Sequence, residues 1–152
     1  MTKLEGYDQL CLDLALREAE LSYSAGGIPI GALLVDEHRN VLGRGHNERV
    51  QSGDPVAHGE IVCLRNAGRL TSYQLATLYT TLSPCQMCSG AILLFRIPRV
   101  VVGEAKTFVG NLEFLESSGV EVLLADDDRC IGLMSKFQED NPQLWLEDIG
   151  SS

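Results

Sequence analysis

The sequence predicts an α/β fold, with a mixed, mostly parallel sheet covered by helices on both faces. Two observations carry that prediction. Apolar, strand-like runs alternate with helical segments of a size that can cross over between parallel strands. One early pair of runs is joined by only a short polar turn, which makes a hairpin. A third observation sets the scale. The 152 residues are 45% hydrophobic, enough to bury one continuous core. No repeat, low-complexity tract or linker interrupts them, so residues 1–152 read as a single domain.

Each element follows from the local pattern. Leu10, Leu14 and Leu21 recur at helical spacing over residues 8–24, and Ala25, Gly26 and Gly27 stop the helix. The runs "IPIGALLVD" and "NVLGRGHN" read as two strands joined by a turn around Glu37 to Asn40. Residues 58–68 read as a helix ending at Gly68. Next come a strand at 76–82, a helix from about Gln86 to Phe95, and a strand at 99–103. A short helix near 111–118 leads to a strand at 120–125. Asp126 or Asp127 can then cap a helix running to about Glu139. The last segment, "NPQLWLEDIG", reads as a short helix or turn ending at Gly150.

Charge and cysteine usage narrow the function. The net charge is -9, with acidic runs at Asp126 to Asp128 and from Glu139 to Asp148. Such a surface repels phosphate backbones, which favours a small neutral or cationic ligand over nucleic acid. The N-terminus carries charges throughout what would be the apolar stretch of a signal peptide. No window approaches the ~20 apolar residues that span a bilayer, so no membrane partner is expected and the expected location is cytoplasmic. Cys11, Cys63, Cys85, Cys88 and Cys130 are odd in number and irregularly spaced, as expected of reduced cytosolic thiols.

The chemistry lies in two short stretches. In "SPCQMCSG", Cys85 and Cys88 open a helix behind Pro84, three residues apart and therefore on one face. The positive end of the helix favours thiolates. Alone, C-x-x-C is shared among metal sites, redox dithiols and accident. The stretch "HGE" at 58–60 opens another helix after a strand and loop, and it decides for metal. His58, Cys85 and Cys88 make three protein ligands, and the open fourth position marks a catalytic zinc rather than a structural one. Glu60 does not share a helix face with His58 as an i, i+3 or i, i+4 pair would, so it is placed to move protons and not to bind the metal. H-x-E followed by P-C-x-x-C is the signature of zinc-dependent base deaminases. His38 reads as a solvated turn residue and His46 as a shaper of its loop. Cys11, Cys63 and Cys130 read as core or partly buried residues.

The chain resembles the fungal-type cytosine deaminases within the cytidine deaminase-like superfamily. "GGIPIGALLV", "GRGHN", "HGEI", "NAGRL", "TLYTTLSPCQMCSGAI", "IPRVVVGE" and "PQLWLEDIG" carry the resemblance over nearly the whole length, and the tail points to the narrower family. The resemblance implies a three-layer α/β/α sandwich around a five-stranded sheet, a homodimer, and one zinc ion per chain on His58, Cys85 and Cys88. Glu60 would shuttle protons. Asn47, helped by the Gly59 backbone, would bind the pyrimidine edge, and the Ser83 carbonyl would accept from the departing amino group. Asp148 would lie near the reacting end, and Phe108, Trp145 and Ile149 would cover the ring, with the C-terminal segment as a lid. The implied reaction is hydrolysis of cytosine to uracil and ammonia. Val50 stands where a phenylalanine would line the pocket, and Leu146 where an aromatic would follow Trp145. Guanine, isocytosine or a pterin therefore stay open as substrates. The other rivals are a tRNA adenosine deaminase and a zinc-stabilised binding module without activity.

Overall fold

A computed structural model describes Leu4 and residues 6–151. The elements in chain order are α1 (Gly6–Ser24), β1 (Gly31–Val35), β2 (Val41–His46), α2 (Arg49–Ser52), α3 (Gly59–Ala67), β3 (Thr77–Leu82), α4 (Gln86–Leu94), β4 (Arg99–Glu104), α5 (Leu112–Ser117), β5 (Glu121–Leu124), α6 (Asp128–Asp140) and α7 (Pro142–Asp148). The order of the five strands is β2-β1-β3-β4-β5. β1 pairs antiparallel with both β2 and β3, while β3, β4 and β5 run parallel. The expected mixed α/β sheet is the one observed.

Alternation along the strands divides the core between two faces. Ala32, Leu34, Leu78, Val100 and Val102 face Cys63 and Leu64 of α3, Ile92 of α4 and Leu115 of α5. Leu33, Val35, Tyr79 and Val101 face Cys11, Leu12 and Ala15 of α1. A third cluster joins Ile28, Ile30 and Leu82 to Met134 and Phe137 of α6 and Trp145 of α7.

Two glycines seat α3, the helix that carries "HGE". A Cβ on Gly43 would lie 2.6 Å from the Ala67 nitrogen, and one on Gly45 would lie 2.8 Å from the Cys63 nitrogen. Both are well inside van der Waals contact, so only glycine lets the helix backbone rest this close to β2.

Element ends were less legible than elements. β1 begins at Gly31 and not at Ile28, because Pro29 has no N–H to donate to a ladder. Asp127 is the cap of α6, accepting the Arg129 N–H, and α7 has Pro142 in its first turn. The four-residue α2 has no counterpart in the sequence prediction. Among the described residues, no helix is long and apolar enough to cross a membrane.

Candidate active site

The site forms where β3 ends and two helices begin. His58 is the N-cap residue of α3 and Cys85 the N-cap residue of α4. Both side chains therefore project from helix starts, where unpaired N–H groups and the helix dipole favour negative charge. Cys88 lies one turn into α4 and is fully buried.

The three side chains converge. His58 Nδ1 is 3.5 Å from Cys85 Sγ and 3.7 Å from Cys88 Sγ. Zinc held tetrahedrally at its usual distances to nitrogen and sulfur puts such donors about 3.5 Å apart. Among the described residues, this is the group of three that could hold a metal ion. The donor chemistry agrees. The Cys88 thiol hydrogen-bonds to Cys85 and, with His58, outweighs burial to bring the Cys85 thiol down to about 4. Cys88 is raised in turn, by its hydrogen bond to Cys85 and by burial.

Glu60 is buried beside this group and is not among the donors. Burial, reinforced by Cys85, pushes its carboxyl up to about 7 against the opposing pull of His58. A carboxyl poised near neutrality suits proton transfer at neutral pH. Asp148 of α7 faces the other nitrogen of the imidazole, with its Oδ1 3.4 Å from His58 Nε2. It also accepts a 3.2 Å hydrogen bond from Asn47 Nδ2. Burial raises Asp148 against His58 and Asn47. The Asn47 Oδ1 accepts the Arg49 N–H, and its backbone carbonyl accepts from Ser22 Oγ.

A cavity of about 20 Å³ is lined by His58, Glu60, Ser83, Cys85, Phe108, Trp145, Asp148 and Ile149, with Ile30 and Leu82 completing the wall. Phe108 and Trp145 meet edge to face, with ring centroids 5.6 Å apart. Next to the cavity lies a recess of about 600 Å³ that shares His58, Cys85, Phe108, Asp148 and Ile149 with it and adds Arg49, Gln86 and Asn111.

Most of the expected site residues thus share one cavity. Asn47 stands behind Asp148, and Gly59 lies between His58 and Glu60 at the start of α3. Val50 lines neither space. It borders an adjoining recess that shares Arg49, Pro55 and Glu147 with the larger one and adds Leu144. The sequence reading missed Ile30, just before β1, Leu82, the last residue of β3, and Arg49, the first residue of the short α2, none of which carries a chemical motif of its own. His46 pairs with Glu18 at 2.8 Å and His38 lies by Glu37 on the surface. Cys11, Cys63 and Cys130 are buried as expected.

An imidazole and two thiols converging from two helix starts, with a buried carboxyl held off the donor set, define a zinc-dependent base deaminase on an α/β/α scaffold. Residues 6–104 match the cytidine and deoxycytidylate deaminase zinc-binding region, and the chain belongs to that family. It is 52% identical to a cytosine deaminase of Candida albicans over 94% of this chain and 97% of that one. It is 46% identical to a tRNA-specific adenosine deaminase of Haemophilus influenzae over 70% of this chain and 63% of that one. The solved guanine deaminase of Nitrosomonas europaea shares the fold, with a TM-score of 0.75 at 19% identity over 91% of this chain and 87% of that one.

Proposed function

We propose that this protein removes the amino group of a free nucleobase by hydrolysis, with cytosine as the preferred base. The observation that carries this reading is the cavity itself. Glu60 and the open side of the donor cluster face a space capped by Phe108, Trp145 and Ile149. About 20 Å³ holds one water and no ring, so the cap must part to admit a base through the larger recess. Full-length similarity to a cytosine deaminase supports cytosine, and a net charge of -9 disfavours a polyanion such as tRNA.

When bound, zinc supplies an acidified water as nucleophile at neutral pH. His58 and Cys85 face the cavity while Cys88 closes the back, so the donors leave one side toward the substrate. Glu60 takes a proton from the water and passes it to the ring nitrogen beside C4. The water oxygen bonds to C4, its second proton goes to the amino nitrogen, and the C4–N bond breaks. Cytosine and water thereby become uracil and ammonia. The Ser83 carbonyl accepts from the amino group, Asn47 and the Gly59 N–H hold the opposite edge, and Asp148 orients His58. Phe108, Trp145 and Ile149 sandwich the ring and exclude bulk water.

The chain works as a homodimer in this reading. Leu94, Val109 and Phe114 leave apolar surface at 73%, 74% and 52% exposure around α4 and α5, which a second copy could cover. Sedimentation showing only a monomer would discard this part.

Ammonia release by the zinc-loaded protein from cytosine, guanine, isocytosine, a pterin, adenine and cytidine tests the substrate. Strong turnover of cytosine is expected. Silence on cytosine with turnover of another base would overturn the substrate and keep the chemistry, and salt-sensitive binding of tRNA would revive the RNA reading.

A further inference from the structure

Glu104 is a fully buried acid at the end of β4 that no step above uses. Its Oε2 accepts the Lys106 N–H at 2.7 Å and the Thr107 N–H at 3.0 Å, and its Oε1 accepts the Thr107 hydroxyl. Every side-chain hydrogen bond it accepts thus comes from the two residues immediately before Phe108. A neutral amide could satisfy only part of this set, because its NH₂ would face a donor.

The far side of the loop is tied as well. Ser83 Oγ donates to the Val109 carbonyl at 2.7 Å and the Asn111 N–H to the Pro84 carbonyl at 3.2 Å, while on the near side Gln138 Nε2 adds a 3.2 Å bond to the Thr107 carbonyl. Between the two anchors stands Phe108, edge-on to Trp145 in the cavity wall. Phe108 is carried on a loop, and a loop residue holds a fixed position only as well as its anchors do.

We propose that Glu104 is a positioning residue for substrate binding: its carboxylate clips residues 106 and 107 so that Phe108 is held against Trp145 as one wall of the base cavity. This rests on reading that cavity as the substrate site. Glu104 itself touches no substrate, and its effect passes through Phe108.

Trp145 is the only tryptophan in the chain, so its emission reports this wall directly. In the zinc-loaded protein, Glu104→Gln should raise KM for the preferred base about tenfold and change kcat much less. It should also shift Trp145 emission to the red with no base present. In a Phe108→Ala background the same change should add almost nothing to KM, since the two act as a unit. Thr107→Val, which keeps Glu104 and removes only the hydroxyl bond, should move KM and emission in the same direction by less. It carries the test if Glu104→Gln does not fold. A lowered Tm with unchanged KM and emission, or effects of Glu104→Gln and Phe108→Ala that simply add, would overturn the proposal. If no base is turned over, the substrate reading falls, while the Trp145 emission of the two variants still decides whether Glu104 holds the wall.

Discussion

The two ends of the parallel strands treat acids in opposite ways. Where β3 and β4 begin, Asp8 reaches from α1 to Arg99 and accepts hydrogen bonds of 2.9 and 2.6 Å from its two terminal nitrogens. The Tyr79 hydroxyl adds a third at 2.6 Å. The Arg99 guanidinium, aided by Tyr79, holds the Asp8 carboxyl below the usual range against burial. Where β3 ends, Glu60 and Asp148 are raised, chiefly by burial. No arginine or lysine pairs with either of them among the described residues. The first end is built around a permanent cation. The second has acids and thiols ready for a cation and protons that come and go, the usual mark of a working site as opposed to a structural one. A metal ion among the donors lowers these acids again, which couples them to its presence.

The largest break in this contrast comes at Glu60. Glu60→Gln keeps the size of the side chain and removes its capacity to carry protons. Turnover should fall by about 10²–10⁴-fold, while metal analysis still finds one zinc per chain. Loss of zinc together with activity would make Glu60 part of the metal site and not its proton carrier. Asp148→Asn comes next. It removes the charge that faces His58 Nε2, and such partners of metal-binding histidines typically contribute about 10–100-fold in metal affinity or activity. Competition with a chelator for zinc and ammonia release should both show the loss. An unchanged zinc affinity with raised KM would place Asp148 on the substrate alone.

How much of this contrast could be read from the sequence depends on how local each piece is. His58, Glu60, Cys85 and Cys88 were legible because each pair lies in a short motif at a helix start, where the i, i+3 spacing puts both cysteines on one face and the two-residue step from His58 sets Glu60 apart from the donors. Asn47, Phe108, Trp145 and Asp148 are single residues of common types from separate segments, and only the resemblance to known deaminases drew them out. Nothing in their neighbourhood signals that Asn47 and Asp148, 101 residues apart, share a hydrogen bond. The strands and long helices were legible from periodicity, while α2 is too short to show any.

The scaffold under the working end gives a smaller and more structural effect. A methyl group on Gly45 would press on Val62 Cγ1 at 2.7 Å and on the Cys63 nitrogen at 2.8 Å. α3 must then lift from β2, and His58 and Glu60 move with it. Gly45→Ala should cost about 1–3 kcal/mol by overpacking, roughly 2–4 °C of Tm per kcal/mol for a chain of this size. Turnover of the folded fraction should fall as well. A lowered Tm with full specific activity would show that the donors tolerate a displaced helix, and that the close seat of α3 on β2 serves stability alone.

The opposite end supplies the smallest effect, and its sign follows from the pKa shift. Asp8 is lowered in the folded protein, so its stabilisation is present above the unfolded value near ~3.9. It fades as pH falls through the lower folded value, because the proton that then binds breaks the pairing with Arg99. Asp8→Asn cannot ionise and lacks the term at every pH. At pH 7 the variant should be less stable by about 1 kcal/mol, the scale of a partly exposed ion pair. Denaturant unfolding at a series of pH values should show the gap constant down to about pH 5 and closing below about pH 4. Specific activity at pH 7 should be unchanged, since Asp8 lies at the end of the strands away from the cavity. A gap that stayed the same at low pH would mean that the stabilisation comes from packing and the neutral Tyr79 hydrogen bond, and not from the charge on Asp8.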